Sequence, residues 1–228
     1  AGRGQPVLRP MIVQSGISEA KLTVALDIRY PQAYLGLPPA IEFARDRAVA
    51  INWLPLSASS LKAPSILDPS DDRGSRHRRS RAERVAREIE IYAESQGLVL
   101  NDYYRTGSSA AFHLAWLWMR YRAPKQLEDF LCESFRAYWA CEFDPASEAE
   151  AAALLSRFDG AVDAADGRFS SWCAGEGSAA LDRICDDLQA HGVFAAPSYL
   201  VENEIFLGRQ HLPMIDWILG GRNGKGPI

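Results

Sequence analysis

The stretch "GVFAAPSYLVENEIFLG", residues 192–208, holds two short β-prone runs separated by Glu202-Asn203, with Pro197 directly ahead of the first. The pattern predicts a strand, a two-residue turn and a second strand, that is, a β-hairpin. Proline cannot donate to a sheet ladder, so its place at the head of a strand needs a reason. Ala196, the residue before it, has an amide and a carbonyl that no neighbouring strand uses, and a cis peptide there would aim them into a cleft.

Outward from the hairpin, "SAALDRICDDLQAHG" ends a helix at Gly192 and "HLPMIDWILGG" reads as a closing helix, so the C-terminal part has the order ββα. The N-terminal part answers it. "KLTVALDIRYP" (21–31) reads as a buried strand entering a loop, and "VAINWLPLS" (49–57) as a second strand. Between them "QAYLGLPPAIEFARDRA" has helical spacing through Tyr34, Leu37, Ile41 and Ala44, with Pro38-Pro39 expected to kink or restart the helix. Strand, helix and strand make a βαβ unit across a parallel pair. A loop rich in Ser, Pro and Asp follows from Ser57 to Gly74.

The middle is helical throughout. "SRAERVAREIEIYAESQG" repeats apolar residues at Val85, Ile89 and Tyr92 and stops at Gly97; "SSAAFHLAWLWMRYRA", "PKQLEDFLCESFRAYWACEF" and "SEAEAAALLSRF" follow, the last opened by a Ser147 to Glu150 capping box. This is the sequence order of an α/β thioredoxin-like fold with a large all-helical insertion between its βαβ and ββα halves. The expected division is an N-terminal extension over 1–17, a thioredoxin-like unit over 18–74 and 187–228, and the insertion over 75–186.

With 47% hydrophobic and 24% charged residues and a net charge of -4, the chain of 228 residues describes a globular protein with no bulk bias toward nucleic acid. Its longest apolar runs are too short to span a bilayer, and "AGRGQPVLRPMIVQSG" lacks the apolar core of a signal peptide, so a cytoplasmic location is expected. Cys132, Cys141, Cys173 and Cys185 form no C-x-x-C pair and read as reduced cysteines packed as small hydrophobes. The run "RGSRHRRSRAERVAR" is interleaved with glutamates in its later part and has no aromatic residue in its basic part, and reads as a solvated helix start. His113, inside an apolar helix, reads as a satisfied core histidine. No metal-ligand spacing, nucleophile elbow or phosphate loop occurs.

Ligands of an open α/β sheet lie beyond the carboxyl ends of its strands, which here means "DIRYPQAY". A helix starting near Pro31 would turn its free amides and positive dipole end there, favouring a thiolate or carboxylate. Tyr30 and Arg29 stand at its mouth, a phenol able to donate to a sulfur anion and a guanidinium able to supply charge. Composition alone reads the first as a core cap and the second as solvated.

Two motifs go further. "DIRYPQAYL" and "GVFAAPSYLVENEIFLGRQHLPMIDWIL" resemble the post-strand segment and the proline-hairpin ending of the DsbA-like thioredoxin-fold group, and within it the 2-hydroxychromene-2-carboxylate isomerases and kappa-class glutathione transferases, over residues 20–222. The resemblance implies a cis-proline at Pro197, with the Ala196 backbone pairing with the cysteinyl part of glutathione. It also implies that Tyr30 touches the sulfur, that Arg209 and Gln210 meet the γ-glutamyl end, and that Arg81 stands for a lysine of the first inserted helix. In the isomerases the thiolate is thought to add to a conjugated enone, allow rotation about the former double bond and leave, which needs a lowered thiol pKa and a nearby cation.

Three residues depart from the group's pattern: Tyr30 replaces a serine, Gln210 an aspartate and Arg81 a lysine. Gln210 gives up the ion pair with the γ-glutamyl ammonium. The expected function is a glutathione- or other thiol-dependent isomerase or transferase acting on a small aromatic or conjugated acid, without nucleic-acid or membrane partners. The rival is a binding or scaffold protein that keeps the fold without the chemistry. Dimerisation is common in the resembled group, and no residue pattern here fixes a homodimer.

Overall fold

The computed structural model describes residues 20–59, 61–64, 66, 72–158 and 168–227. The expected extension over 1–17 and part of the expected loop from Ser57 to Gly74 lie outside the described residues. All five residues of strand β1 (Leu22–Leu26) are buried. Side chains alternate across a strand, so such a run has both faces covered and belongs at the centre of a sheet. β2 (Ile51–Pro55) runs parallel beside it, with Val24 opposite Trp53. On its other side β3 (Ser198–Val201) is antiparallel, with Val24 opposite Tyr199, and β4 (Glu204–Leu207) forms the edge, giving the order β2-β1-β3-β4. The hairpin turns at Glu202-Asn203 as the sequence predicts, with Glu202 at φ 53°. The βαβ and ββα halves therefore meet at β1 and β3, and helix α8 (Leu212–Leu219) returns against β3.

Between β2 and β3 the regular elements are helical: α2 (Arg73–Gln96), α3 (Ala110–Arg122), α4 (Leu127–Trp139), α5 (Glu148–Leu155), α6 (Arg168–Trp172) and α7 (Ser178–Ala190), the last two joined by a π turn over Cys173–Gly177. α3 buries residues on every side, from Ala111 through Met119, and packs against α4, α5, α7 and β2. A helix apolar all round is the centre of its block. Hydrogen bonds tie the block to the sheet: Arg120 Nη1 donates to the Trp53 carbonyl at 3.1 Å and the Trp53 indole to Glu128 at 3.1 Å. α2 begins with Asp72 accepting from the Ser75 amide at 2.6 Å and ends at Gly97, whose φ of 63° suits glycine. At α5 only half of the expected capping box closes. Ser147 Oγ accepts from the Glu150 amide, while the Glu150 carboxylate accepts from Asp144 N at 2.8 Å.

Pro38-Pro39 do not restart the first helix, for α1 runs without a break over Pro31–Arg47. A helical residue at 39 would donate to the Leu35 carbonyl, and proline cannot. Two side chains from distant elements donate instead, Gln96 Nε2 at 3.3 Å and Arg209 Nη1 at 3.4 Å. Beside it, the Tyr199 hydroxyl donates to the Gly36 carbonyl at 3.4 Å. A Cβ at Gly36 would lie 3.1 Å from that hydroxyl and 3.5 Å from Pro197 Cγ, so glycine lets α1 approach β3.

The cysteines depart from expectation: all four are free, but only Cys173 is buried, while Cys132 and Cys141 are exposed. Burial pushes the Cys173 thiol up to about 12. His113 is fully buried as read, yet it is not satisfied, because neither ring nitrogen has a hydrogen-bond partner among the described residues. Desolvation lowers its pKa to about 4, with Asp27 opposing and Arg29 adding to the shift. Between pH 6.5 and about 4 the unfolded chain binds a proton on this imidazole that the folded chain does not, so stability falls as pH is lowered through that window and the loss is complete below it. Urea unfolding at pH 7 and pH 4.5 is expected to show a drop that is smaller by about 2 kcal/mol in His113→Phe than in the unaltered chain.

Candidate functional site

The chain leaves β1 through a turn built on one buried carboxylate. Asp27, 1% exposed, accepts from the Arg29 amide at 3.0 Å, from Arg29 Nε and Nη2 at 3.1 and 2.7 Å, and from the Ala58 amide at 2.8 Å. Its own carbonyl accepts from the Tyr30 amide at 3.0 Å. Tyr30 is thereby held as the residue before α1, in extended conformation and with no capping bond from its side chain. Pro31 opens the helix at the position where a missing N–H costs nothing.

Beyond this turn lies a cleft of about 780 Å³. Tyr30 and Gln32 line it from the start of α1; Ala196 and Pro197 from the entry to β3; Gly208, Arg209 and Gln210 from the exit of β4; Glu88 and Tyr92 from α2. Other hollows open at the opposite end of β1, around Ala20 and Lys21. The first cleft is the one at the carboxyl end of β1, where an open α/β sheet binds its ligands.

The Ala196-Pro197 peptide is cis, as the resemblance implied. The Pro197 carbonyl is already used, accepting from Gly208 N at 3.0 Å, and Ser198 Oγ donates to the Ala195 carbonyl at 2.6 Å. The Ala196 amide and carbonyl, buried at the cleft wall, have no hydrogen-bond partner among the described residues. A donor and an acceptor so placed match one extended peptide unit of a ligand.

Burial raises the pKa of Tyr30 above its usual 10, against the opposing charge of Arg81. The phenol therefore keeps its proton at neutral pH and can donate to an anion. Gly208 sits at φ 96°, a backbone conformation that a side chain would strain, and the exposed Gln210 amide folds back over it to donate from Nε2 to the Leu207 carbonyl at 2.8 Å. The Arg209 guanidinium lies 3.7 Å from the centre of the Tyr92 ring while it holds Leu35.

Of the residues singled out in the sequence, Tyr30, Ala196, Pro197, Arg209 and Gln210 share this cleft, and Arg29 and Arg81 are outside its lining. Arg29 is not the solvated charge that composition gave. Its side chain is 14% exposed, paired with Asp27, and donates to the Gly107 and Ala58 carbonyls at 2.7 and 2.9 Å. Arg81 is exposed on α2 and reaches Tyr30 through its field. Among the polar side chains of the lining, those not singled out are Gln32, whose Oε1 is buried without a partner among the described residues, Glu88 and Tyr92. The spacing of the last two, four residues apart, places them on one face of α2. None of the four cysteines lines the cleft. Among the described residues no group of three or more His, Cys, Asp or Glu side chains could hold a metal ion, and no helix is long and apolar enough to cross a membrane.

No protein-family model matches the sequence, and no curated protein is detectably similar to it. Solved structures do match. A 2-hydroxychromene-2-carboxylate isomerase superposes with a TM-score of 0.64 at 16% identity, over 88% of this chain and 95% of that one. The cytosolic disulfide reductase DsbM from Pseudomonas aeruginosa, in a structure with glutathione, gives 0.59 at 13% identity, over 88% and 98%. The fold is the DsbA-like thioredoxin fold with its helical insertion.

Because the buried Asp27 carboxylate neutralises the half-buried Arg29 guanidinium and fixes the turn that carries Tyr30, Asp27→Ala is expected to cost about 3 kcal/mol in urea unfolding. Asp27→Asn, which keeps an acceptor for Ala58, should cost less.

Proposed function

We propose that this chain is a thiol-dependent isomerase or transferase of the 2-hydroxychromene-2-carboxylate isomerase type, taking glutathione as its thiol and a small aromatic or conjugated acid as its substrate. The observation that carries the reading is the pairing of Tyr30 with the unpartnered Ala196 backbone across one cleft. The glutathione held by a neighbour of the same fold supports the choice of thiol. When bound, glutathione supplies the nucleophilic sulfur.

The roles of the chain's own residues follow from their positions. The Ala196 amide and carbonyl take the cysteinyl peptide unit, and Tyr30 donates from its hydroxyl to the sulfur, stabilising it as an anion. Arg209 and Gln210 hold the polar end beyond Gly208, and the exposed Arg81 adds positive potential near Tyr30. Arg29, enclosed by Asp27, Gly107 and Ala58, acts as a positioning residue. Disulfide exchange would need a cysteine in the cleft, and the lining has none. The same reading takes 18–74 with 187–228 as the unit that holds the thiol and 75–186 as the insertion that shapes the substrate side. It includes a cytoplasmic location and a homodimer.

Glutathione at ten times its Kd should raise the melting temperature by about 3–6 °C. No change at millimolar concentration would sink the choice of glutathione. Tyr30→Phe should lower turnover of a conjugated-acid substrate at least tenfold with little change in melting temperature; an undiminished rate would remove Tyr30 from the chemistry.

A further inference from the structure

The cleft holds one charged residue that the roles above leave unused, Glu88. Within α2, Glu83 lies 4.0 Å from Arg79 and Glu90 lies 2.9 Å from Arg87, so both carboxylates are neutralised along the helix. Glu88 has no hydrogen bond or ion pair among the described residues, and it lines the cleft. One turn further along the same face, Tyr92 carries the Arg209 guanidinium on its ring. Glu88 and Arg209 thus line one cleft with opposite charges and form no ion pair with each other. Gln32 adds a buried acceptor, Oε1, that also lacks a partner among the described residues.

A ligand that is purely anionic would meet repulsion from Glu88, and one that is purely cationic would meet it from Arg209. A group bearing an ammonium and a carboxylate on one carbon satisfies both. We infer that Glu88 is a specificity residue that accepts the α-ammonium of an amino-acid head group whose carboxylate Arg209 takes. The inference rests on the thiol reading above and deepens it: the ligand's amino-acid end lies between α2 and the loop after β4. The negative charge that Gln210 lacks is supplied by the helical insertion, from the residue one turn before the ring on which Arg209 rests.

The test is calorimetric titration at low salt with two ligands, glutathione and its analogue in which a glutaryl group replaces γ-glutamyl and so removes the ammonium, each against the unaltered chain and Glu88→Gln. Glu88 is exposed and unpaired, so the variant should keep its melting temperature. Glutathione should bind the variant about fivefold more weakly, and the difference should shrink as salt is raised. The analogue should bind both proteins alike. If glutathione binds but the substitution weakens both ligands equally, or neither, the assignment of Glu88 is wrong and the thiol reading stands. If glutathione does not bind the unaltered chain, both fall.

Discussion

The carbonyl of Leu35 is a small group on which much of the molecule turns. Pro39 deprives it of its helical donor, and an unmet carbonyl at that depth would cost on the order of 1–3 kcal/mol. Gln96 from the end of α2 and Arg209 from the loop after β4 meet it instead. One defect in α1 therefore gathers the insertion and the C-terminal half onto the N-terminal helix. The guanidinium that does so is the same one that stacks on Tyr92 and lines the cleft. One side chain thus both ties the elements together and lines the cleft, and Pro39 is what leaves the Leu35 carbonyl open to it.

At the other end of the site the division of labour is different. Asp27 and Arg29 are enclosed and mutually neutralised, and they spend their hydrogen bonds on the turn after β1 and on the carbonyls of Ala58 and Gly107. A charged residue next to a candidate catalytic tyrosine invites a catalytic reading. Here the geometry gives it a supporting one, because a guanidinium already holding one carboxylate and two carbonyls has little left for a ligand. His113 lies close enough for both charges to act on its imidazole. It stays neutral behind them, a polar side chain in an aromatic core.

How much of this could be read in the sequence differs from element to element. The sheet could, since each strand is a short β-prone run with its own punctuation, and Glu202-Asn203 together with Pro197 marks both ends of β3. The two walls of the cleft that follow strand ends were legible for the same reason, because Tyr30, Ala196 and Arg209 sit at fixed offsets from those strands. Glu88 and Tyr92 were not. They appear as one charge among several and one apolar repeat position, and what makes them cleft residues is the packing of α2 against α1, a tertiary fact without a local signal. The restart expected at Pro38-Pro39 failed for a related reason: helix propensity counts the lost donor and cannot see Gln96 and Arg209, which replace it from 61 and 174 residues beyond Leu35. Exposure of Cys132 and Cys141 likewise depends on which side of each segment faces the block.

The order of the strands has a consequence for how the cleft comes into being. β1 and β3 are neighbours in the sheet, Thr23 beside Leu200, yet the whole insertion lies between them in the chain. Such a pairing is non-local, and non-local pairings yield their contacts only after the chain between them has been closed, so the joining of the two halves is expected late on the folding route. Local pieces such as the β1–α1–β2 unit and the helices around α3 can form earlier, but none of them contains the cleft, whose walls come from residues near 30, 90, 196 and 209. The cleft is thus a property of the finished topology, and a ligand bound in it would act as a latch on the last contacts to form.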